Sequence, residues 1–249
     1  MDNSKESKKD RDLRKNQIRS GNRLVVGAVL VIVALAVVFG LVRYSAQNDG
    51  NDDNVIVGVA EITATDHVRG ATTSPKAILV EYSDFQCPAC AATEPFLAEI
   101  VSEYGDRGLA LVYRHFPLEQ HNKALLASQF AEAASIQGKF WPIHDLIFSN
   151  QDSWSLLSVS ETKTVFLDYA KQVGLDLIRL EADLNSKEVD DKIKADLASA
   201  NQAGVNATPT FFLNGRRVEV RTESEFNKTI EDEINKNNDN TLATTTSSN

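Results

Sequence analysis

Ile78-Leu79-Val80-Glu81-Tyr82-Ser83-Asp84-Phe85-Gln86-Cys87-Pro88-Ala89-Cys90 is an apolar run that ends in the only two cysteines of 249 residues, and its reading decides the fold. Ile78 to Tyr82 is β-branched and aromatic enough for a buried strand, whereas Ala91 to Tyr104 repeats apolar residues at helical spacing (Phe96, Leu97, Ile100, Val101, Tyr104). The cysteines therefore fall at a strand-to-helix junction. A proline fits only the first turn of a helix, so Pro88 starts the helix at or just after Cys87. Unpaired N–H groups and the positive end of the helix dipole favour a thiolate at Cys87, while Cys90 lies on the same face one turn deeper. That spacing suits a reversible redox disulfide. Two other uses of C-x-x-C stand beside it. Half of a zinc site would need a second ligand pair, and His67, His115, His121 and His144 lack close H-x-x-x-H spacing. A structural bridge closing so short a loop would restrict the unfolded chain little.

Outward toward the N-terminus, residues 1–23 hold eight Lys or Arg against four acids and read as a polar, disordered, cytoplasmic tail. Leu24 to Val42 is an uncharged run bounded by Arg23 and Arg43, about 28 Å long as a helix and so able to span a bilayer once. A cleavable signal peptide is the alternative, but its apolar region is shorter, and Tyr44 stands where a small residue is wanted. Positive charge on the N-terminal flank places that side in the cytoplasm, so the rest of the chain is expected to be exported. In an oxidising compartment, a domain that keeps only one adjacent cysteine pair keeps it for exchange chemistry. Residues 44–249 carry 17 basic and 31 acidic residues, which argues against nucleic-acid binding.

Residues 43–65 read as a linker, in which only Val55 to Ile62 could form a short strand; His67-Val68 is a second such segment. Leu109 to Phe116 is a strand expected to pair in parallel with the first. Helical patterns follow over Lys123–Ser135, Phe140–Phe148, Val165–Val173 and Leu177–Ala200, separated at Gly138, Asn150–Ser155 and Gly174. Pro209 opens a strand Thr210–Leu213, Asn214-Gly215 signals a hairpin turn, and Arg216–Arg221 returns. Glu223–Ile234 is a last amphipathic helix, and residues 237–249 read as a disordered tail.

With Cys87-Pro88-Ala89-Cys90 after the first long strand and Ala207-Thr208-Pro209-Thr210-Phe211-Phe212-Leu213-Asn214-Gly215 downstream, the chain resembles the membrane-anchored or secreted DsbA-like thiol-disulfide oxidoreductases of the thioredoxin superfamily. The resemblance covers residues 66–236 and implies an α/β thioredoxin fold with a helical insertion, about 120–203, between the second long strand and the cis-Pro strand, preceded by one transmembrane helix. It implies that Cys87 attacks and Cys90 resolves, that Pro209 is cis and faces the disulfide, and that Thr208, with Pro88, Ala89 and Phe85, meets an extended substrate peptide. It also makes Glu81, six residues before Cys87, a buried acid that exchanges a proton with Cys90. On alternation Glu81 shares a face with Ala77 and Leu79; a solvated strand-end glutamate is the other reading. Better-known strong oxidants of the family have histidine where this chain has Ala89, so thiolate stabilisation is expected from the helix terminus alone. His144 reads as a packing residue, and Asp84 as a strand end.

Three functions follow: a disulfide donor to exported proteins, reoxidised by a membrane redox partner; an isomerase or reductase using the same pair; and a non-catalytic peptide-binding module. None calls for a cofactor or a metal.

Overall fold

The computed structural model describes residues 57–246, so the expected anchor at 24–42 lies outside the described residues. Among the described residues no helix is long and apolar enough to cross a membrane.

Five strands form one sheet: β1 (His67–Gly70), β2 (Ala77–Ser83), β3 (Leu109–His115), β4 (Thr210–Leu213) and β5 (Arg216–Val218), in the spatial order β1-β3-β2-β4-β5. β2 and β3 pair in parallel from Ala77 against Leu109 to Ser83 against His115, joined by helix α2 (Pro88–Tyr104), and the other pairings are antiparallel. β2 is central and buried on both faces, which explains its unbroken apolar run. Asn214 and Gly215, at φ 47° and 78°, supply the left-handed pair that a two-residue hairpin needs between β4 and β5. β5 stops at Val218, short of the expected Arg221, because β4 offers only Phe211 to Leu213 as partners.

Alternation along the strands divides the core. Leu79, Leu111, Phe211 and Leu213 face α2 and the last helix, α9 (Glu223–Thr246), where Leu97, Ile100, Phe226 and Ile230 complete the layer. Val80, Tyr82, Val112 and Phe212 pack on the opposite face. The segment expected as a strand at 55–62 instead contains a helical turn, α1 (Val57–Ala60), whose neighbouring carbonyls, Gly58 O and Glu61 O, accept from Arg114 at 3.2 and 2.9 Å. Those carbonyls are turned onto a buried guanidinium, not onto a strand edge. α9 runs past Lys236 to Thr246, into the segment expected to be disordered, since no Gly or Pro interrupts it.

The insertion comprises α3 (Ala124–Ser135), α4 (Phe140–Ser149), α5 (Gln151–Trp154), α6 (Val159–Gln172), α7 (Leu177–Asp183) and α8 (Lys187–Gln202). Two boundaries differ from the sequence expectation, and both have capping causes. α6 starts six residues earlier, at a capping box of Ser158 and Glu161. The single helix expected over 177–200 is two, because Ser186 Oγ accepts from Val189 N and begins a new one. Phe130, Ile143, Ile147, Trp154 and Phe166 form the insertion's core, which is continuous with Phe85, Cys87 and Cys90.

Candidate active site

Cys87 is the N-cap of α2 in an extended conformation (φ −75°, ψ 120°), and Pro88 occupies the first turn. The turn before it is held from three sides. Cys87 N donates to Asp84 O at 3.0 Å. The Asp84 carboxylate accepts from Gln86 N (2.7 Å) and Leu118 N (2.9 Å) and lies 2.7 Å from His121 Nδ1, so it binds the loop after β3 to the cysteine turn. Gln151 Nε2, from the insertion, donates to Phe85 O (2.8 Å) and Cys87 O (2.9 Å). Asp84, expected only to end a strand, thus organises the loop, and neither it nor Gln151 could be found from spacing, since the partners that join them to other elements lie 34 to 66 residues away.

Cys87 is 6% exposed and Cys90 fully buried; both are free thiols. Cys87 Sγ donates to Thr208 O at 3.4 Å, just ahead of β4, and the Thr208–Pro209 peptide is cis. Pro88 and Ala89 are exposed beside it, and Thr208 and Pro209 are half-buried. Phe85 corrects an expectation: its ring is wholly buried among Tyr113, His115, His144 and Phe148, so it cannot touch a substrate and serves the core instead.

The two thiols are driven apart electrostatically. The Cys90 thiol, which donates toward Cys87, is the largest influence holding the Cys87 thiol down at about 5; burial opposes it, and the Thr208 side chain and the Cys90 and Ala89 backbone N–H groups add to it. The helix terminus therefore contributes but does not act alone, contrary to the sequence expectation. Cys90 is pushed far up, first by burial, then by giving its proton to that bond, then by the charge of Glu81.

Glu81 lies in β2 between Tyr113 of β3 and Phe211 of β4, on the face toward α2, and is 1% exposed. Burial raises its carboxyl to about 7, the Ser83 side chain offsets this in part, and the Cys87 thiolate raises it further. No hydrogen bond closes on Glu81 Oε1, Ser83 Oγ or Tyr113 Oη. One turn beyond Cys90 on α2 stands a second acid, Glu94, raised by burial and then by Glu81 and Asp145; its buried Oε1 has no hydrogen bond and lies 3.7 Å from His144 Nε2. Its position four residues after Cys90 was the available sequence signal. His144 packs among Phe85, Tyr113, Phe140 and Phe148, as its place in the insertion suggested, and burial lowers its ring to about 4.

The sequence pattern of the thioredoxin family matches residues 62–232. This chain belongs to the thioredoxin family. Among solved thioredoxin-like structures, it is similar to a thioredoxin-like oxidoreductase of Silicibacter pomeroyi, at 27% identity and a TM-score of 0.58, covering 70% of this chain and 94% of that one. It shares its fold with α-DsbA1 of Wolbachia pipientis (24% identity, TM-score 0.61, covering 71% of this chain and 94% of that one) and with BdbD of Bacillus subtilis (22%, 0.60, covering 68% and 93%). The domain is thus a thioredoxin-family α/β domain with a helical insertion. Among curated proteins, a Na(+)/H(+) antiporter NhaA of Herminiimonas arsenicoxydans is 36% identical over 203 residues, covering 80% of this chain and 31% of that protein. Antiporter NhaA 3 of Salinispora tropica is 39% identical over 153 residues, 61% of this chain and 22% of that protein. The chain spans less than a third of the length of these curated relatives.

Proposed function

We propose that this protein is an extracytoplasmic thiol-disulfide oxidoreductase that introduces disulfides into exported proteins through Cys87-Pro88-Ala89-Cys90. The observation that carries the reading is the asymmetry of the pair. A thiol held near 5 beside a buried, proton-retaining thiol stabilises the reduced form, and a stabilised reduced form makes the corresponding disulfide more oxidising.

In the oxidised enzyme, a substrate thiolate attacks Cys87 Sγ. The Cys87–Cys90 bond breaks, its electron pair stays on Cys90, and the carboxyl of Glu81 supplies the proton that Cys90 takes up in its apolar site. A second substrate thiolate then attacks the substrate sulfur of the mixed disulfide and expels Cys87 as a thiolate. The substrate has lost two electrons and the enzyme has gained them. A membrane redox partner removes them again. Thr208 and cis Pro209, with exposed Pro88 and Ala89, offer the surface on which an extended substrate segment lies. The apolar run 24–42 anchors the chain with residues 1–23 in the cytoplasm, and the domain works outside with no cofactor.

Cys90→Ser in the full chain should accumulate mixed disulfides with exported proteins, and Cys87→Ser should not, because only in the first variant does the Cys87 thiolate attack a substrate disulfide, expelling one substrate thiolate, with no Cys90 to resolve the mixed disulfide. Equal trapping by both, or by neither, would remove the division of roles.

A further inference from the structure

A cluster away from the cysteine pair is not used by this chemistry. His67 at the start of β1, His115 at the end of β3 and Glu132 on α3 point three ligand atoms at one place, all within 4.8 Å of one another. His67 Nε2 lies 2.7 Å and His115 Nε2 2.6 Å from the same oxygen, Glu132 Oε1. Each donor is positioned by something else. The His67 ring is stacked on Phe140 at 3.5 Å, the second Glu132 oxygen accepts from Ser135 Oγ at 3.3 Å, and the His115 side chain is fully buried. His67 and Glu132 also form part of the wall of a cavity of about 890 Å³ that opens to solvent, so the cluster has an entry path and free space on one side.

We propose that His67, His115 and Glu132 bind a divalent transition-metal ion, Zn²⁺ by the chemistry of the donors, with the fourth position facing this cavity. Two imidazoles and one carboxylate match zinc's ordinary ligands, and three protein ligands with one open position is a usual zinc arrangement. Calcium and magnesium are disfavoured, because they require mostly oxygen donors and only one carboxylate is present. Bonds of about 2.0–2.2 Å to a tetrahedral ion set its ligand atoms roughly 3.4 Å apart. Glu132 Oε1 must therefore move under about 1 Å away from each imidazole nitrogen, while the two nitrogens, within 4.8 Å of each other, settle to the same spacing, and the cavity side gives His67 room to adjust. Lys192, which lines the same cavity, has its ammonium 2.6 Å from Asp196 Oδ1, so its charge is already neutralised beside the site. A bound ion would join β1, β3 and the insertion helix α3 at one point. The expectation from sequence that no metal is bound rested on spacing along the chain, and these three residues are separated by 48 and 17 positions.

The test uses the full chain in its oxidised form, so that the cysteines cannot compete for metal. Titration with Co²⁺ should show one equivalent bound, with the intense visible absorption of a four-coordinate ion, and Zn²⁺ should displace it. Glu132→Gln and His67→Ala should each weaken binding at least tenfold while redox activity of the cysteine pair persists. Because Glu132 is buried, circular dichroism should establish that each variant is folded; half-buried His67 provides the variant less prone to unfold. Zn²⁺ should also raise the melting temperature of wild type and not of His67→Ala. Absence of stoichiometric Co²⁺ binding by oxidised wild type, or binding unchanged in both variants, overturns the site and leaves a carboxylate hydrogen-bonded by two imidazoles. Neither result bears on the cysteine chemistry.

Discussion

The two faces of the central sheet each bury charge, and they treat it in opposite ways. On the face away from α2, Arg114 and Asp66, whose side chains are each 2% exposed, pair at 2.8 Å. Arg114 also donates to Tyr82 Oη and two carbonyls, while Lys192 lies 3.5 Å from Asp66 and 2.6 Å from Asp196, and Asp196 accepts from His115 N. On the face toward α2, Glu81, Ser83 and Tyr113 are as deeply buried and have side-chain oxygens without partners. Asp66 is accordingly held below the usual carboxylate range despite burial, its hydrogen bond and ion pair with Arg114 outweighing the desolvation, whereas Glu81 is raised to about 7. A saturated network fixes structure; an unsatisfied acid beside two thiols keeps a proton in play near neutral pH.

The most direct way to break this comparison is to remove the partner on the saturated face. Arg114→Met should strand the Asp66 charge and cost about 3–5 kcal/mol, read from urea unfolding. A loss under about 1 kcal/mol would mean that Lys192 alone compensates Asp66, and the two faces would differ less than argued.

The second prediction concerns the unsatisfied face. The folded state holds a proton on Glu81 up to about pH 7, while the unfolded chain releases it near 4.5. Between those values the native state binds more protons than the unfolded state, so stability falls as pH rises; the contribution is full below about 4.5 and lost by about 7. Glu81 alone should therefore contribute a loss on the order of 3 kcal/mol across that window, at about 1.4 kcal/mol per tenfold change in proton activity, opposed above about pH 5 by the gain from the depressed Cys87 thiol. Reduced Glu81→Gln should lack this component of the decline. Parallel stability profiles for the two proteins would show that Glu81 titrates normally.

The smallest expected effect sharpens the account of the thiolate. Since the Cys90 thiol is the leading influence on Cys87, Cys90→Ala should move the Cys87 absorbance titration upward from about 5. A midpoint that stays put would return the credit to the helix terminus.

The active-site helix, the parallel β2–β3 pair and the hairpin at Asn214-Gly215 were legible because each is specified within one short stretch of chain, the widest running from Ala77 to His115. The alternation of Ala77, Leu79 and Glu81 even put the acid on the correct face. The Asp66–Arg114–Lys192 network was not legible, because Asp66 and Lys192 lie 126 residues apart and each alone reads as an ordinary surface charge. Phe85 was misread for a related reason. Its place beside Cys87 suggested contact with substrate, whereas the insertion supplies an aromatic shell that no local pattern around residue 85 encodes. The break before α8 was visible in principle, as Ser186 ahead of an acidic first turn, but the continuous helical periodicity on either side concealed it.

Gln151 carries a consequence for how such domains can be taken apart. Its single amide, in the short helix α5, holds the backbone carbonyls of both Phe85 and Cys87. The insertion is therefore not an accessory that could be trimmed or exchanged while the five-stranded sheet keeps its cysteine turn. A graft between relatives would have to carry position 151 together with the turn it clasps. A contact made anywhere on the insertion that shifts α5 reaches the reactive sulfur through one side chain.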